Sequence, residues 1–151
     1  MNALHIIGLE IAIHHPERLT KLFAYAANSA PDGVRTDLSK SVLFNAYIAR
    51  AEKEYEKLSA TPKEYKSLFN QLSKMSATQP NFTKAQLRSI SVPVWIVDGD
   101  NDEVIKRENT DLMAATIPNA GLLIQPWVSH FSFLQDPLQF NEAILLFLEN
   151  N

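Results

Sequence analysis

Val92–Asp102, VPVWIVDGDND, is the stretch whose reading decides the fold. Val92, Pro93, Val94, Trp95, Ile96 and Val97 form a nearly unbroken apolar run of strand length. Such a run lacks the polar alternation of a half-solvated strand and suits a parallel strand buried on both faces. Asp98, Asp100 and Asp102 follow at once, at the C-terminal end of that strand. In open α/β sheets this is the end that carries ligands and chemistry. A second strand-like run, Ala120–Gln125, leads into Trp127, Val128, Ser129 and His130. Neighbouring parallel strands lie about 5 Å apart, so an acid after one and a histidine after the next can meet.

Working outward, Leu4–His15 reads as a helix. Leu4, Ile7, Ile11 and His15 share one face, but Ile6, Leu9 and Ile13 occupy others, so the helix expects burial on several sides. Pro16 stops it, and Leu19–Ala27 reads as a short strand. Asn28–Asp37 is loop, with Pro31 and Asp32-Gly33 as turn signals. Leu38–Leu58 is helical: Phe44, Tyr47, Ile48, Ala51, Tyr55 and Leu58 recur at steps of three and four, opposite a charged face. Thr61-Pro62-Lys63-Glu64 has the pattern of a capping box ahead of a helix over Pro62–Met75. Thr83–Arg88 is a short helix opened the same way by Thr83 and Gln86. Lys106–Ile117 is the next helix. Asp136 caps the last one, whose Ala143, Ile144, Phe147 and Leu148 are expected to face inward. The order predicts an α/β domain with three parallel strands.

The 151 residues are 46% hydrophobic and 21% charged, and suit one domain with a sizeable core. A net charge of −3 and the lack of a basic stripe speak against a nucleic-acid surface. There is no cysteine, which excludes disulfides and thiolate metal sites. No apolar run approaches the ~20 residues that span a bilayer. No basic leader precedes the first helix, so a cytoplasmic location is expected.

Asp102 and His130 are the pair the spacing favours for chemistry. A carboxylate bonded to the imidazole N–H would fix its tautomer and leave the other nitrogen as a general base. The plainer alternative makes Asp102 a cap of the following helix and His130 a loop residue. Asp98 is expected to pair locally with backbone, and Asp100 to shape the turn. The three aspartates do not have the spacing of a calcium loop, and no metal site is expected. Ser29 and Ser129 lie nearest the strand ends, but neither stands on a glycine-flanked turn that would expose a nucleophile. His5, His14 and His15 have no ligand spacing with a carboxylate. Trp127, Phe131 and Phe133 could line an apolar acyl pocket, or serve as core beneath a loop.

Taken as an ordered set, these features resemble the C-terminal part of an α/β-hydrolase. VPVWIVDGDNDEVI, a helix, a strand and then WVSHFSFLQDP match that family's last two strands, and Gly99-x-x-Asp102 matches its acid turn. The opening, IIGLEIAIHHPERLTKLFAYAANSAP, resembles the helix after the nucleophile and the strand that follows. The resemblance implies a partial α/β-hydrolase fold over residues 1–151, with 34–86 in the place of a helical cap. It assigns Asp102 as the catalytic acid and His130 as the catalytic base. The family's Gly-x-Ser-x-Gly turn is expected just before Ile6, where Met1-Asn2-Ala3-Leu4-His5 stands instead. The implied protein is the C-terminal half of an esterase-like hydrolase, silent by itself, that acts on small ester-like molecules without a cofactor. The alternatives are an active serine esterase with a nucleophile from another chain, and a non-enzymatic binding or assembly module. With the family's neighbouring strand missing, the Leu19–Ala27 edge is bare, and bare edges recruit partners, which points to a homodimer.

Overall fold

The computed structural model describes residues 3–149. The side chains of Leu4 and His5 lie outside the described part. Three parallel strands form one sheet in the order β1-β2-β3: β1 Leu22–Tyr25, β2 Val94–Gly99 and β3 Ala120–Gln125. Leu22 lies beside Val94, and Val94 beside Ala120, so all three strands point the same way and end together. The connections are helical: α1 Ala3–His14 precedes β1; α2 Val42–Leu58, α3 Tyr65–Ser76 and α4 Lys84–Ser89 join β1 to β2; α5 Arg107–Thr116 joins β2 to β3; α6 Ser132–Gln135 and α7 Pro137–Glu149 close the chain.

The unbroken apolar run in β2 is explained by its two covered faces. Val94 and Ile96, with Ala24 of β1, pack against Leu9 and Ala12 of α1, Leu87 and Ile90, and Met113 and Ile117. Trp95 and Val97 face the other way, with Phe23, Tyr25 and Leu123, toward Phe133 and Phe140. There the rings interlock edge to face: Phe140 meets Phe23 at 6.0 Å and Tyr25 at 5.1 Å between centroids.

Several boundaries depart from the sequence pattern for identifiable reasons. β1 is shorter than Leu19–Ala27 because Leu19 still closes the 3-10 turn Pro16–Arg18 and Ala26 swings into positive φ (48°). The helix expected from Leu38 begins as the 3-10 turn Leu38–Lys40, and α2 starts only after Ser41, whose Oγ accepts the Phe44 N–H at 3.0 Å. The Thr61 capping box does not form. Its hydroxyl is engaged by the Tyr55 hydroxyl at 2.8 Å, and Pro62–Glu64 is a 3-10 turn ahead of α3. The box at Thr83 and Gln86 forms in both directions. Asp136 caps α7 by accepting the Gln139 N–H at 3.0 Å. Ala143 and Phe147 are buried as expected, but Leu148 is 55% exposed. Leu145 and Leu146 beside it are also exposed, and so is Ile7 on α1.

α2 and α3 lie against each other, with the Tyr65 hydroxyl donating to the Ile48 carbonyl at 3.3 Å. Neither helix buries a residue fully. Tyr47 joins them to the body by stacking on Phe131, with centroids 4.3 Å apart.

Two contacts fix the C-terminal ends of the strands to one another. A Cβ on Gly99 would come within 2.6 Å of the Val128 and Ser129 carbonyl oxygens, so only glycine lets the end of β2 approach the loop after β3 this closely. From β1, the fully buried Tyr25 hydroxyl donates to the Ser129 carbonyl at 2.9 Å and accepts the Ser132 N–H at 3.1 Å. Gly99→Ala is expected to cost about 1–3 kcal/mol through overpacking against backbone, read as a lower urea midpoint. Tyr25→Phe, which strands a buried carbonyl and a buried N–H, is expected to cost a similar ~1–3 kcal/mol. A urea midpoint unchanged in either variant would contradict the corresponding contact.

Candidate active site

The acid and the histidine meet at the joined strand ends. The turn after β2 closes with the Asp102 N–H on the Gly99 carbonyl at 3.3 Å, and the Asn101 N–H reaches the Val128 carbonyl at 3.0 Å. The turn after β3 carries Trp127 at positive φ (62°) and then delivers His130. Asp102 Oδ2 and His130 Nδ1 are 2.7 Å apart, and both side chains are almost fully buried. Asp102 does not cap the following helix, which starts at Arg107 with Lys106 at its N-cap and no side-chain cap bond, but it does shape the turn before it. Its Oδ1 accepts the Val104 and Ile105 N–H groups at 2.6 and 2.7 Å. One carboxylate therefore shapes the turn with one oxygen and bonds the imidazole with the other.

This arrangement fixes the protonation pattern. Burial pushes the His130 imidazole down to about 4, against the opposite pull of Asp98 and Glu103, so it is neutral at neutral pH. Burial raises Asp102 above the usual carboxylate range, opposed by its bond to Asp98 and by the Ile105 and Val104 N–H groups. With the carboxylate accepting, the imidazole proton sits on Nδ1 and the lone pair on Nε2. His130 Nε2 is buried and bonded to no group among the described residues. His130 lines a cavity of about 450 Å³ between the sheet body and the α2–α3 pair. The walls are mostly aliphatic and aromatic, including Ile6, Val34, Phe44, Ile48, Phe69 and Ile105, and among the described residues no lysine, arginine, aspartate or glutamate lines it.

The other candidates fall elsewhere. Asp98 is buried and accepts the Gly99 N–H at 2.9 Å and the Thr110 hydroxyl at 2.7 Å. Asp100 is exposed and accepts from the Asn101 amide at 2.7 Å. No group of three or more metal-binding side chains gathers among the described residues. Ser29 is buried and held by Asn109, whose Nδ2 donates to its Oγ at 2.9 Å. The buried Ser129 donates its N–H and hydroxyl to Gln135 Oε1 at 2.7 and 3.0 Å. Both serines are thus tied into structural bonds. His14 and His15 stand beside Glu10 and Glu17 on the surface. The aromatic acyl pocket is not formed by the expected trio. Trp127 is 89% exposed, and Phe131 and Phe133 lie behind the histidine rather than on the cavity wall.

Three supporting residues carried no sequence signal. Tyr25 clamps the backbone on both sides of His130. Glu103 Oε2 accepts the His130 N–H at 3.2 Å. Gln135 holds the preceding residue. Each acts by a tertiary approach that no local spacing encodes, although Glu103 is adjacent to the acid in the chain.

No family model matches the chain. A protein named "Putative carbamate hydrolase RutD" from Caulobacter vibrioides is 26% identical over 163 aligned positions, covering 94% of this chain and 61% of the relative. "Putative non-heme bromoperoxidase BpoC" from Mycobacterium tuberculosis superposes with a TM-score of 0.65 at 18% identity, covering 95% of this chain and 63% of that one. MGS-MChE2, an α/β hydrolase from a lagoon-sediment metagenome, gives a TM-score of 0.63 at 20% identity, with 96% and 57% covered. The chain thus spans about three-fifths of the length of the relatives it matches. No helix among the described residues is long and apolar enough to cross a membrane. The parallel three-stranded sheet and its flanking helices are a partial α/β-hydrolase fold, and the chain's relatives and structural neighbours belong to that superfamily.

Proposed function

We propose that these residues supply the acid and the base of an ester-type hydrolase, and that the nucleophile comes from outside them. The observation that carries this is the His130 imidazole: it is bonded through Nδ1 to Asp102 at 2.7 Å, its Nε2 meets no partner among the described residues, and the residue lines the cavity. A neutral imidazole held in that tautomer takes a proton from a hydroxyl nucleophile and returns it to the leaving group, while Asp102 stabilises the transient imidazolium. The chain has no Gly-x-Ser-x-Gly turn, and Ser29 and Ser129 are committed to other bonds. In this reading Asp102 and His130 are the catalytic pair, the α2–α3 region within 34–86 is the cap, and no metal or cofactor takes part. Substrates are small molecules with an ester-like bond. The RutD likeness extends that class to carbamates. In this reading the chain by itself, with Ser29 and Ser129 tied into other bonds, is silent.

A second reading concerns partners. No strand among the described residues covers the outer edge of β1, and Leu138, Leu145, Leu146 and Leu148 of α7 are exposed. These surfaces favour a homodimer, or capture of the segment that completes the sheet.

Mixed with a separately expressed α/β-hydrolase segment that carries a Gly-x-Ser-x-Gly turn, the chain is expected to release p-nitrophenol from p-nitrophenyl esters. His130→Ala is expected to reduce that turnover by about 10²–10⁴-fold. The chain alone is expected to show none above its His130→Ala variant. Turnover in the mixture that His130→Ala leaves intact would contradict the assignment. Light scattering at micromolar concentration is expected to give twice the chain mass, and a monomer would remove the dimer.

A further inference from the structure

We infer that the cavity beside His130 takes an uncharged, largely aliphatic molecule and that Asn28 Oδ1 accepts a hydrogen bond from it, an inference that rests on the hydrolase reading above only in taking this molecule for the substrate. At about 450 Å³ the cavity has the size of a small-molecule site. Phe44 and Ile48 of α2 and Phe69 of α3 line it, together with Val104 and Ile105 after β2. Among the described residues no lysine, arginine, aspartate or glutamate lines it, and burial keeps His130 neutral at neutral pH. An ion that entered would give up its water and meet no opposite charge. An aliphatic body gains by leaving water.

Two of the polar residues on the described wall are buried, His130 at 1% and Asn28 at 4% exposure. The others, Ser73, Ser76 and Gln79, are exposed or half-buried. Asn28 follows β1, and its Nδ2 donates to the Ala30 carbonyl at 2.9 Å. A carbonyl oxygen can meet only the NH2 end of a carboxamide, so this bond settles which end is which. The nitrogen is turned to the chain's own backbone. Oδ1 makes no bond to a described residue and is the end left for a ligand.

The loop that carries Asn28 is held independently of its side chain. The Ser29 N–H donates to Asn109 Oδ1 at 3.0 Å, Asn109 Nδ2 donates to Ser29 Oγ at 2.9 Å, and the Phe82 N–H donates to the Ser29 carbonyl at 2.8 Å. A group positioned by its neighbours in this way is fixed before a ligand arrives. In the hydrolase reading the lone pair of His130 Nε2 receives the nucleophile's proton, so Asn28 is the buried acceptor that remains for the substrate. The class this selects is a neutral molecule with an aliphatic body and one O–H or N–H donor. Asn28→Leu keeps the size of the side chain and removes the acceptor.

Calorimetric titration of the 151-residue chain at pH 7 with octan-1-ol, its isomer 1-methoxyheptane and octanoate tests this. The isomers contain the same atoms and differ in the donor. Octan-1-ol is expected to bind about 2–10-fold more tightly than the ether, the worth of one net hydrogen bond, and at least about tenfold more tightly than the octanoate anion. In Asn28→Leu the preference for the alcohol should disappear while the ether binds as before. Equal binding of the isomers to the unmodified chain, octanoate bound as tightly as the alcohol, or a preference that survives Asn28→Leu would each overturn the inference. The last result would assign the alcohol to His130 Nε2 instead. Should the variant not fold, NMR of the unmodified chain decides. The Asn28 side-chain NH2 signal should shift more with the alcohol than with the ether, and the alcohol should show Overhauser contacts to the Ile48 and Ile105 methyl groups. Equal shifts, or contacts only elsewhere, would overturn it. No readout here involves turnover. A failed ester assay with the alcohol bound through Asn28 would count against the hydrolase reading alone, and loss of the alcohol preference with turnover intact would count against this inference alone.

Discussion

A buried hydrogen bond of 2.7 Å between Asp102 and His130 is the constraint on which the rest of the site depends. Inside the protein, an imidazole with no partner for its ring N–H would lose about 1–3 kcal/mol of hydrogen bonding. The carboxylate removes that loss and determines which nitrogen keeps the lone pair. It is itself buried, and tolerates burial because two backbone N–H groups and the imidazole all donate to it. The result is a neutral imidazole whose Nε2 is bonded to no described group, in a residue that lines a cavity with no charged side chain among its described lining residues.

The sheet makes that bond possible by ending its strands together. Parallel pairing in register, from Val94 beside Ala120 to Gly99 beside Gln125, sets the two turns side by side. Gly99 allows the backbones to close up, and Tyr25 reaches from the third strand to hold the loop that carries the histidine. Each strand thus contributes one device: β2 the Asp102 turn, β3 the His130 loop and β1 the Tyr25 clamp. The hydrophobic core on both faces keeps the strands fixed, so the polar cluster at their ends does not need to hold itself together.

Much of this was legible in the sequence where one physical cause dominated. Double-sided burial wrote itself into VPVWIV as a run without alternation, and the strand-end position of Asp102 and His130 followed from it. Local capping was legible at Thr83 and Asp136, but not at Thr61, where Tyr55 competes for the same hydroxyl. Inward faces were legible on the middle of α7, but Leu148 keeps helical spacing and still faces outward, because periodicity does not say which partner is present. The cavity walls were not legible around Trp127, Phe131 and Phe133: closeness in sequence to His130 does not place a residue on the wall, and Phe131 and Phe133 serve as core instead. The roles of Tyr25, Glu103 and Gln135 depend on contacts across the fold, and nothing in their local pattern distinguishes them.

His130 is a neutral imidazole held in one tautomer by Asp102. Nitrogen-15 NMR of the histidine rings, with His130→Ala used to assign the signal, tests this most directly. The account predicts that at pH 7 His130 carries its proton on Nδ1, leaves Nε2 bare, and stays unprotonated until the pH falls toward about 4. A His130 signal that titrates near 6.5, or that shows the proton on Nε2, would contradict it.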